Sequence, residues 1–416
     1  MKQSPACATQ AHPVARHNRL QGCGTDFTQA LFASVRREAA LLRRRPWDLA
    51  MISWVPLLAA ALVWWMFSAG LPNRLPIGVL DEDHSALSRQ LVRLLAATPG
   101  LDVAAQYPDP AAVQAALRHA EVYAMVGIPA DFTRTVKQGR AAQITLLHNA
   151  QLGTHSSLIQ RDVRTAVGTL SAGAELAARN KRGEPPLAAR VSMEPVRAGM
   201  ITLFNTSLNY EQFLAAALIP ALLHILAMTA GAWSVGRELR DGTLAGWLTA
   251  RPSRTAAVGA LLGKLVWPMA SLGLIGSAAL LWLTGGRGWH PAGSLAWTLA
   301  ALWLFLGLSI AMGAAASAVT RSLRTALSAT GFITAPAFAF GGVGFPLLAM
   351  PPLAHAWALA LPYTHYIRLQ MEQLQMGAPI TLAAPLWMAF AAVLLLGAAA
   401  LALRPAAGEP ASWGKR

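Results

Sequence analysis

An acidic run after the first predicted strand is the densest cluster of residues that could do chemistry. Asp81, Glu82, Asp83 and His84 directly follow the apolar segment LPIGVL. Carboxylates beside an imidazole can hold a metal ion or move a proton. The same side chains also cap helices, because their oxygens accept backbone N–H groups. We favour capping, since the chain has neither the HExxH spacing of a zinc site nor a GxSxG nucleophile turn.

A phosphate-binding loop is present only in incomplete form. The nearest match, GALLGKL at residues 259–265, is one residue short and lacks the final Ser or Thr. The complete motif G-x-x-x-x-G-K-[ST] cradles phosphates with backbone N–H groups and its lysine. We therefore expect no ATPase site and no cofactor in this chain. Gly259 and Gly263 form a small-xxx-small pair, which suits close helix packing.

A charged segment, VGRELRDGTLAGWLTARPSR at residues 235–254, lies between two long apolar stretches. Its apolar and charged residues alternate as in a short helix that docks on another protein, and Pro252 biases the residue before it away from helical geometry. Anchoring by basic residues would explain the arginines alone, but it leaves the interleaved acids and Gly242-Thr243 unexplained. The candidate docking residues are Arg237, Glu238, Arg240, Asp241, Gly242, Thr243, Leu244, Arg251 and Pro252.

The composition is that of a membrane protein. Of the 416 residues, 55% are hydrophobic and 13% are charged, whereas soluble domains average about 25% charged residues. Six stretches are long enough to cross a bilayer, which takes roughly 20 apolar residues. They contain no Asp or Glu, and their only basic residue is Lys264. The six stretches are 49–69, 213–235, 258–283, 295–319, 326–350 and 383–403.

Basic residues set the predicted orientation. The two terminal segments, the loop between spans two and three and the loop between spans four and five together hold 18 Lys and Arg. The short loops on the opposite side hold only Arg287 and Arg368. Basic flanks stay in the cytoplasm, so both termini are predicted inside. The net charge of +15 then reflects topology and contact with anionic lipids, and it requires no nucleic-acid partner.

Residues 70–211 are predicted to form an α/β domain outside the membrane. Four strand-like segments alternate with amphipathic helices, and a long polar helix follows at about 154–180. This segment carries 14 Lys and Arg against 12 Asp and Glu, so it is nearly neutral.

Two further elements flank the spans. Apolar residues recur at helical spacing among arginines before the first span, which predicts an interfacial connecting helix. Its candidate residues are Phe27, Leu31, Val35, Arg36 and Leu42. A membrane-surface anchor is the alternative role, and the two are compatible.

Prolines and glycines crowd residues 336–362, which predicts a re-entrant pair of short helices on the outer side. A Pro-kinked helix followed by an ordinary loop is the alternative. The candidate residues are Gly341, Gly342, Pro346, Pro351 and Pro362.

Several segments together resemble the ABC-2 type export permeases, in unbroken order over about residues 27–403. IGVLDEDHSALSRQLVRLL is similar to the family's extracytoplasmic domain, GRELRDGTLAGWLTARPSR to its cytoplasmic loop, and FGGVGFPLLAMPPLAHAWALALPYTHYI to its Pro-rich turn. The family loop usually has a further Glu, where Ala245, Gly246 and Trp247 stand here.

The resemblance implies an α-helical membrane protein with six transmembrane helices, similar to type V exporters, and an α/β domain inserted between helices 1 and 2. It implies a bacterial inner-membrane efflux permease, a partner ABC ATPase that binds ATP and Mg²⁺, and a second permease chain, identical or paralogous. A periplasmic adaptor is a further family partner. The predicted divisions are a flexible tail at 1–26, the connecting helix at 27–48, helix 1 at 49–69, the outer domain at 70–211, helices 2–6 at 212–403 with the coupling loop at 236–256, and a tail at 404–416.

The expected cargo is amphipathic, drug-like or lipid-like, because the predicted spans contain no carboxylate. An ion-coupled transporter usually relays protons through intramembrane Asp, Glu or His, and His224 is its one candidate here. A sensor or scaffold whose outer domain binds a ligand or adaptor is the third possibility.

Overall fold

The computed structural model of the chain describes residues 14–70, 73–148, 153–181, 205, 209–248 and 252–409. The chain forms two compact units. Residues 71–202 make up one of them, and the segments before and after make up the other.

The N-terminal segment is helical from well before the predicted connecting helix. Helix α1 (Val14–Arg44) is followed by α2 (Pro46–Ile52) and α3 (Trp54–Phe67). Pro46 occupies the first position of α2, where its missing N–H is no loss. Much of α3 is apolar yet exposed, including Leu58 and Leu62, as expected for a helix that faces lipid.

The unit formed by residues 71–202 contains a four-stranded mixed sheet. Its elements are β1 (Leu75–Asp81), α4 (Ala86–Ala96), β2 (Leu101–Gln106), α5 (Pro110–Arg118), β3 (Ala124–Ile128), α6 (Phe132–Lys137), β4 (Thr145–His148) and α7 (Gly153–Lys181). The strands lie in the four segments predicted as strands, in the order β2-β1-β3-β4. β1 pairs in parallel with β2 and β3, and β4 pairs antiparallel with β3.

Alternation of apolar residues places the core of this unit between the sheet and its helices. Ile77 and Val79 of β1 and Val126 of β3 are fully buried, as are Leu91 and Leu95 of α4. The predicted long polar helix corresponds to α7, and the sequence KRGEPP, predicted to end it, lies almost wholly outside the described residues.

The helices that follow belong to the other unit, together with α1, α2 and α3. They are a π-helical turn (Glu211–Ala215) continuous with α8 (Ala216–Arg240), α9 (Leu244–Trp247), α10 (Arg254–Leu281), α11 (Leu295–Thr320), α12 (Leu323–Thr334), α13 (Ala337–Phe340), α14 (Pro352–Ala360), α15 (Pro362–Met371) and α16 (Ala383–Ala406).

Five helices in the described part of the chain are long and apolar enough to cross a membrane. They correspond to five of the six predicted spans, namely Pro46–Phe67, Glu211–Arg240, Arg254–Gly286, Leu295–Thr320 and Ala383–Ala406.

The stretch 326–350, predicted as one span, is not one helix. α12 ends at Thr334, and its 12 residues cover only about 18 Å at 1.5 Å per residue. Pro336 follows at once and cannot donate a helical hydrogen bond. The chain then continues through α13 and a 3₁₀ turn at Leu347–Ala349.

Helices α8 and α11 form the centre of this unit. A side chain at Gly231 would collide with the backbone of Ile310, and one at Gly313 with the backbone of Met228. Glycine at both positions therefore lets the two helices touch backbone to backbone.

Candidate functional site

Helix α1 packs directly against the first half of α10. A Cβ at Gly259 would lie 2.5 Å from the carbonyl oxygen of Phe27, and one at Gly263 would overlap the carbonyl oxygen of Leu31. The small-xxx-small pair noted in the sequence therefore permits close contact with the connecting helix. Trp267 of α10 reinforces this contact, because its indole N–H donates to the carbonyl oxygen of Val35 at 3.1 Å.

A buried group of charged side chains joins α1, α2, α8 and α10. We name it the ionic cluster, and its members are Arg37, Glu38, Asp48, Arg237, Glu238 and Lys264. All but Arg37 are at most 9% exposed, and the Arg37 side chain is 30% exposed.

Glu238 and Lys264 form the middle of the ionic cluster. Both guanidinium tips of Arg37 donate to the Glu238 carboxylate, each at 2.9 Å. The Lys264 Nζ donates to Glu238 at 2.7 Å and to Glu38 at 2.8 Å. Arg237 donates to Glu38 and, at 2.7 Å, to Asp48.

The ionic cluster is electrically balanced, with three carboxylates facing three basic groups. Removing one partner from such a buried set costs about 3–5 kcal/mol, because it leaves an uncompensated charge away from water. Glu38 lies on α1 and Asp48 on α2, while Arg237 and Glu238 lie in the last turn of α8. The cluster therefore ties the connecting helix to two predicted spans.

The loop after α8 begins with a helix-terminating turn. Gly242 has a φ of +68°, a left-handed conformation that favours glycine. The N–H of Asp241 donates to Arg237 O at 2.8 Å, and that of Thr243 to Glu238 O at 2.9 Å. These bonds satisfy carbonyls at the helix end as in a Schellman motif.

The single-turn helix α9 continues the loop and contacts α1. The Trp247 indole donates to Ser34 Oγ at 3.0 Å, and the Lys264 ammonium lies 4.7 Å from the centre of the Trp247 ring. Leu244 and Leu248 are buried beside them. Residues 243–248 of the loop are therefore attached to α1 and to the ionic cluster.

One face of the loop remains exposed. The exposed residues are Arg240, Asp241, Gly242, Thr243, Ala245 and Gly246. Asp241 accepts hydrogen bonds from Arg240 at 2.8 Å and Arg45 at 3.0 Å. The bond from Arg240, opposed by partial burial and assisted by Arg45, lowers the pKa of the Asp241 carboxyl. Beside this face, a groove of about 480 Å³ runs between α1 and the loop.

Some of the predicted docking residues are buried, and others are exposed. The buried ones pack within this chain and are Arg237, Glu238, Leu244 and Pro252. The exposed ones are Arg240, Asp241, Gly242 and Thr243. Arg251 lies outside the described residues.

The connecting-helix residues also divide. Leu42 is buried, Phe27, Leu31 and Val35 are half-buried, and Arg36 is exposed.

Sequence reasoning missed Glu38, Asp48 and Lys264 as site residues. A signal was present for each. Glu38 is an acid within a strongly basic helix, Asp48 stands at the start of a span, and Lys264 is the only basic residue within the predicted spans. Isolated charges in apolar surroundings usually find a partner when buried.

The Pro/Gly-rich segment contains two short helices, α13 and α14, and its re-entrant course on the outer side stays a prediction. A Cβ at Gly341 would collide with the Tyr363 ring, and Gly342 has a φ of +83°. Pro346 and Pro351 precede the 3₁₀ turn and α14, and Pro362 opens α15. Tyr363 is fully buried and donates to Ala217 O at 2.9 Å, which fixes the segment to α8.

The acidic run after β1 forms turns and caps. The Asp81 carboxylate accepts from the backbone of Asp83 and His84, and the Asp83 carboxylate accepts from the Thr133 hydroxyl at 2.6 Å. Burial alone would raise the pKa of Asp83, but hydrogen bonds from Ser85 and Thr133 lower it. Among the described residues, no group of three or more His, Cys, Asp or Glu could hold a metal ion.

A family model for ABC-2 family transporter proteins matches residues 46–402. The chain belongs to this family. The match covers four of the five described spans completely, most of the fifth, and the residues between the first and second, so the chain is the membrane subunit of an ABC transporter. No match was found among curated proteins. ABC-2 permeases work with an ABC ATPase, and the exposed face of the loop is the candidate contact for such a partner.

Proposed function

We propose that this ABC-2 permease exports an amphipathic, drug-like or lipid-like molecule across a bacterial inner membrane. A separate ATPase chain, which binds ATP and Mg²⁺, supplies the energy. The working unit contains two permease chains and two ATPase chains. The observation that carries this proposal is the attachment of loop residues 243–248 to α1 and the ionic cluster.

Force at the loop has a direct route into the spans. The loop joins α8 to α10, and the ionic cluster bonds the last turn of α8 and the first half of α10 to α1 through side chains that are mostly removed from water. Displacement of the loop by an ATPase would therefore tilt α8 and α10 together with α1. A flexible loop would absorb the same displacement instead.

The proposed topology follows the basic flanks. Both termini, α1 and the loop lie in the cytoplasm, and the unit of residues 71–202 lies outside as an extracytoplasmic α/β domain. α12 and α13 together form the sixth crossing, broken at Pro336. On the outer side Glu211 is buried, and it accepts from Trp64 at 2.8 Å and from Arg287 at 2.9 Å. A periplasmic adaptor would meet the outer domain.

The ATPase contact can be tested on the exposed face of the loop without disturbing the ionic cluster. Ala245 is exposed on α9, so Ala245→Trp adds a bulky group where the ATPase would dock. We expect this variant to lose most of the ATPase that copurifies with the wild-type permease. Arg324→Trp, on the exposed face of α12, is the matched control and should retain the ATPase.

The outcome that contradicts the docking proposal is equal ATPase recovery from both variants.

A second measurement distinguishes ATP hydrolysis from ion coupling as the energy source. Reconstituted permease that moves cargo under a proton gradient without ATPase would favour ion coupling through His224. That residue is fully buried, with its Nδ1 2.8 Å from Ser309 Oγ. Replacing His224 with Gln should leave ATP-driven flux within about twofold, since a packing residue does not carry protons.

A further inference from the structure

The first predicted span leaves one apolar face uncovered. Trp47 and Met51 lie one turn apart on α2 and are 82% and 43% exposed. On α3 four more exposed apolar residues recur every three or four positions, a spacing that puts them on one face of the helix. We name these six residues the exposed stripe, and its members on α3 are Trp54, Leu58, Leu62 and Trp65. An apolar surface of this length marks a contact with lipid or with another protein.

Five arginines precede the exposed stripe, at residues 36–45. Two of them have acidic partners, since Arg37 donates to Glu238 and Arg45 donates to Asp241 at 3.0 Å. The other three are exposed, and none of them forms an ion pair within the described part of the chain. We name these three the unpaired arginines, and they are Arg36, Arg43 and Arg44. The end of the stripe that adjoins α1 therefore carries positive charge that the described residues leave unbalanced.

The acids nearest in sequence to the unpaired arginines are buried and already paired. Both oxygens of Asp48 accept, one from the Trp233 indole and one from Arg237. Both oxygens of Glu38 accept as well, from Arg237 and Lys264. A counter-charge for the unpaired arginines must therefore come from outside this part of the chain.

The unpaired arginines and the exposed stripe match the two parts of an anionic phospholipid. A guanidinium offers paired N–H donors that fit phosphate oxygens, and Arg43 and Arg44 stand a few positions before Trp47. From Trp47 to Leu58 the chain rises about 16 Å at 1.5 Å per residue, which is close to the roughly 15 Å of hydrocarbon in one leaflet. Tryptophan is also enriched where a span meets the lipid headgroups.

A second copy of this chain fits the same face less well. Most homodimers have two-fold symmetry, which places the same residues of both chains against each other. That arrangement would bring two sets of unpaired arginines into one interface, and juxtaposed like charges repel. Charge complementarity therefore favours an anionic lipid as the occupant.

We propose that the unpaired arginines and the exposed stripe together bind an anionic phospholipid. Arg43 and Arg44 hold its phosphate, Arg36 adds positive charge from α1, and an acyl chain lies along Trp47 and Met51. The site is independent of the proposed transport function, and only its assignment to the cytoplasmic leaflet rests on the proposed topology.

Photolabelling of the full-length permease in nanodiscs tests the site. The probe is a phosphatidylglycerol that bears a diazirine on one acyl chain, present as a minor component in phosphatidylcholine, and labelled peptides are identified by mass spectrometry. The exposed face of α16 around Phe390 and Leu394 is the internal reference, because Arg404 on that helix already donates to Pro252 O at 3.1 Å. We expect the probe to label residues 47–54 in preference to α16. A phosphatidylcholine with the same diazirine should label both alike.

Matched variants separate the effect of charge from that of the fold. Arg43→Gln with Arg44→Gln should lower the preference for phosphatidylglycerol at residues 47–54 by about tenfold or more, since each arginine near an anionic surface contributes about fivefold. Arg43→Lys with Arg44→Lys keeps the charge and should retain most of the preference. Arg324→Gln removes an exposed arginine of α12 and should leave the preference unchanged. An unfolding midpoint equal to that of wild type establishes that each variant is folded.

Three results would overturn the proposal. One is equal labelling of residues 47–54 by the two probes, and another is an unchanged preference in the double glutamine variant. The third is displacement of the probe by glycerol 3-phosphate alone, which would indicate a site for free phosphate. Labelling of α16 without any labelling of residues 47–54 also contradicts it, because another protein surface, such as a second permease chain, would then cover the exposed stripe.

Discussion

Replacing Lys264 with Met removes the central base of the ionic cluster. Lys264 is 1% exposed, and its Nζ lies 2.7 Å from Glu238 and 2.8 Å from Glu38. Methionine has similar length but no charge, so the cluster would keep three carboxylates against two bases. The expected loss of stability is about 3–5 kcal/mol, the range measured when one partner of a buried ion pair is removed.

A second substitution should restore much of this loss. Glu238→Gln removes one carboxylate, and the double variant Lys264→Met with Glu238→Gln again has equal numbers of acids and bases. Sites in direct contact show coupling energies of about 0.5–3 kcal/mol in double-mutant cycles. We therefore expect the double variant to be more stable than Lys264→Met alone.

Thermal unfolding of the detergent-solubilised permease measures both effects. A shift of roughly 2–4 °C per kcal/mol makes the single substitution a drop on the order of 10 °C. Arg43→Met, on an exposed part of α1, is the control and should change the midpoint by little. If the effects of the two substitutions simply add, the charges do not form a cluster and the argument for force transmission through it fails.

Two further perturbations test other parts of the fold. Gly263→Val places a branched side chain against the carbonyl oxygen of Leu31, so α1 should separate from α10 and both the unfolding midpoint and the copurified ATPase should fall. Gly331→Val, where a Cβ meets no atom within 4 Å, should keep its ATPase. In the unit of residues 71–202, the native pKa of Asp83 is lowered. Its contribution to stability is therefore fully present above the ordinary carboxyl value of about 3.9 and is lost as the pH falls through the lower native value. In wild type, amide hydrogen exchange at β1 and α6 should accelerate as the pH falls through this range. If Asp83→Asn shows the same pH dependence of exchange, the hydrogen bond between Thr133 and Asp83 does not cause it.

The spans and strands were predictable because each depends on a local pattern. Five of the six predicted spans correspond to helical segments long and apolar enough to cross a membrane, and the first of them is interrupted only at Ser53, since an apolar run of sufficient length has few other stable forms. The stretch 326–350 is different, because Pro336 breaks the helix without changing the hydropathy. Apolar composition alone does not distinguish a continuous helix from several short ones.

The ionic cluster could not be predicted from local patterns. Lys264 pairs with Glu38, which lies 226 positions away, and nothing near either residue identifies the other. An isolated buried charge indicates that a partner exists, but only the packing of α1 on α10 determines which one. Gly259 and Gly263 were the one local sign of that packing, and the sequence did not say which helix they contact.

The charged segment at residues 235–254 shows how a helix end determines which charges contact the rest of the chain and which face outward. Both acids of this segment were candidates for one docking surface, but Glu238 is buried and Asp241 is exposed. α8 continues through Arg240, so Glu238 still lies on a helix that packs against α1 and α10. Gly242 then ends the helix at a positive φ, and Asp241 beside it is exposed, although the Thr243 hydroxyl still donates to Glu238. A glycine at this position is a known stop signal, so giving it weight would have assigned Glu238 to the helix and Asp241 to the surface. A charge reversal at Glu238 would therefore change mainly the stability of the fold, because Glu238 is buried. A substitution at the exposed Ala245 would change mainly the binding of the ATPase.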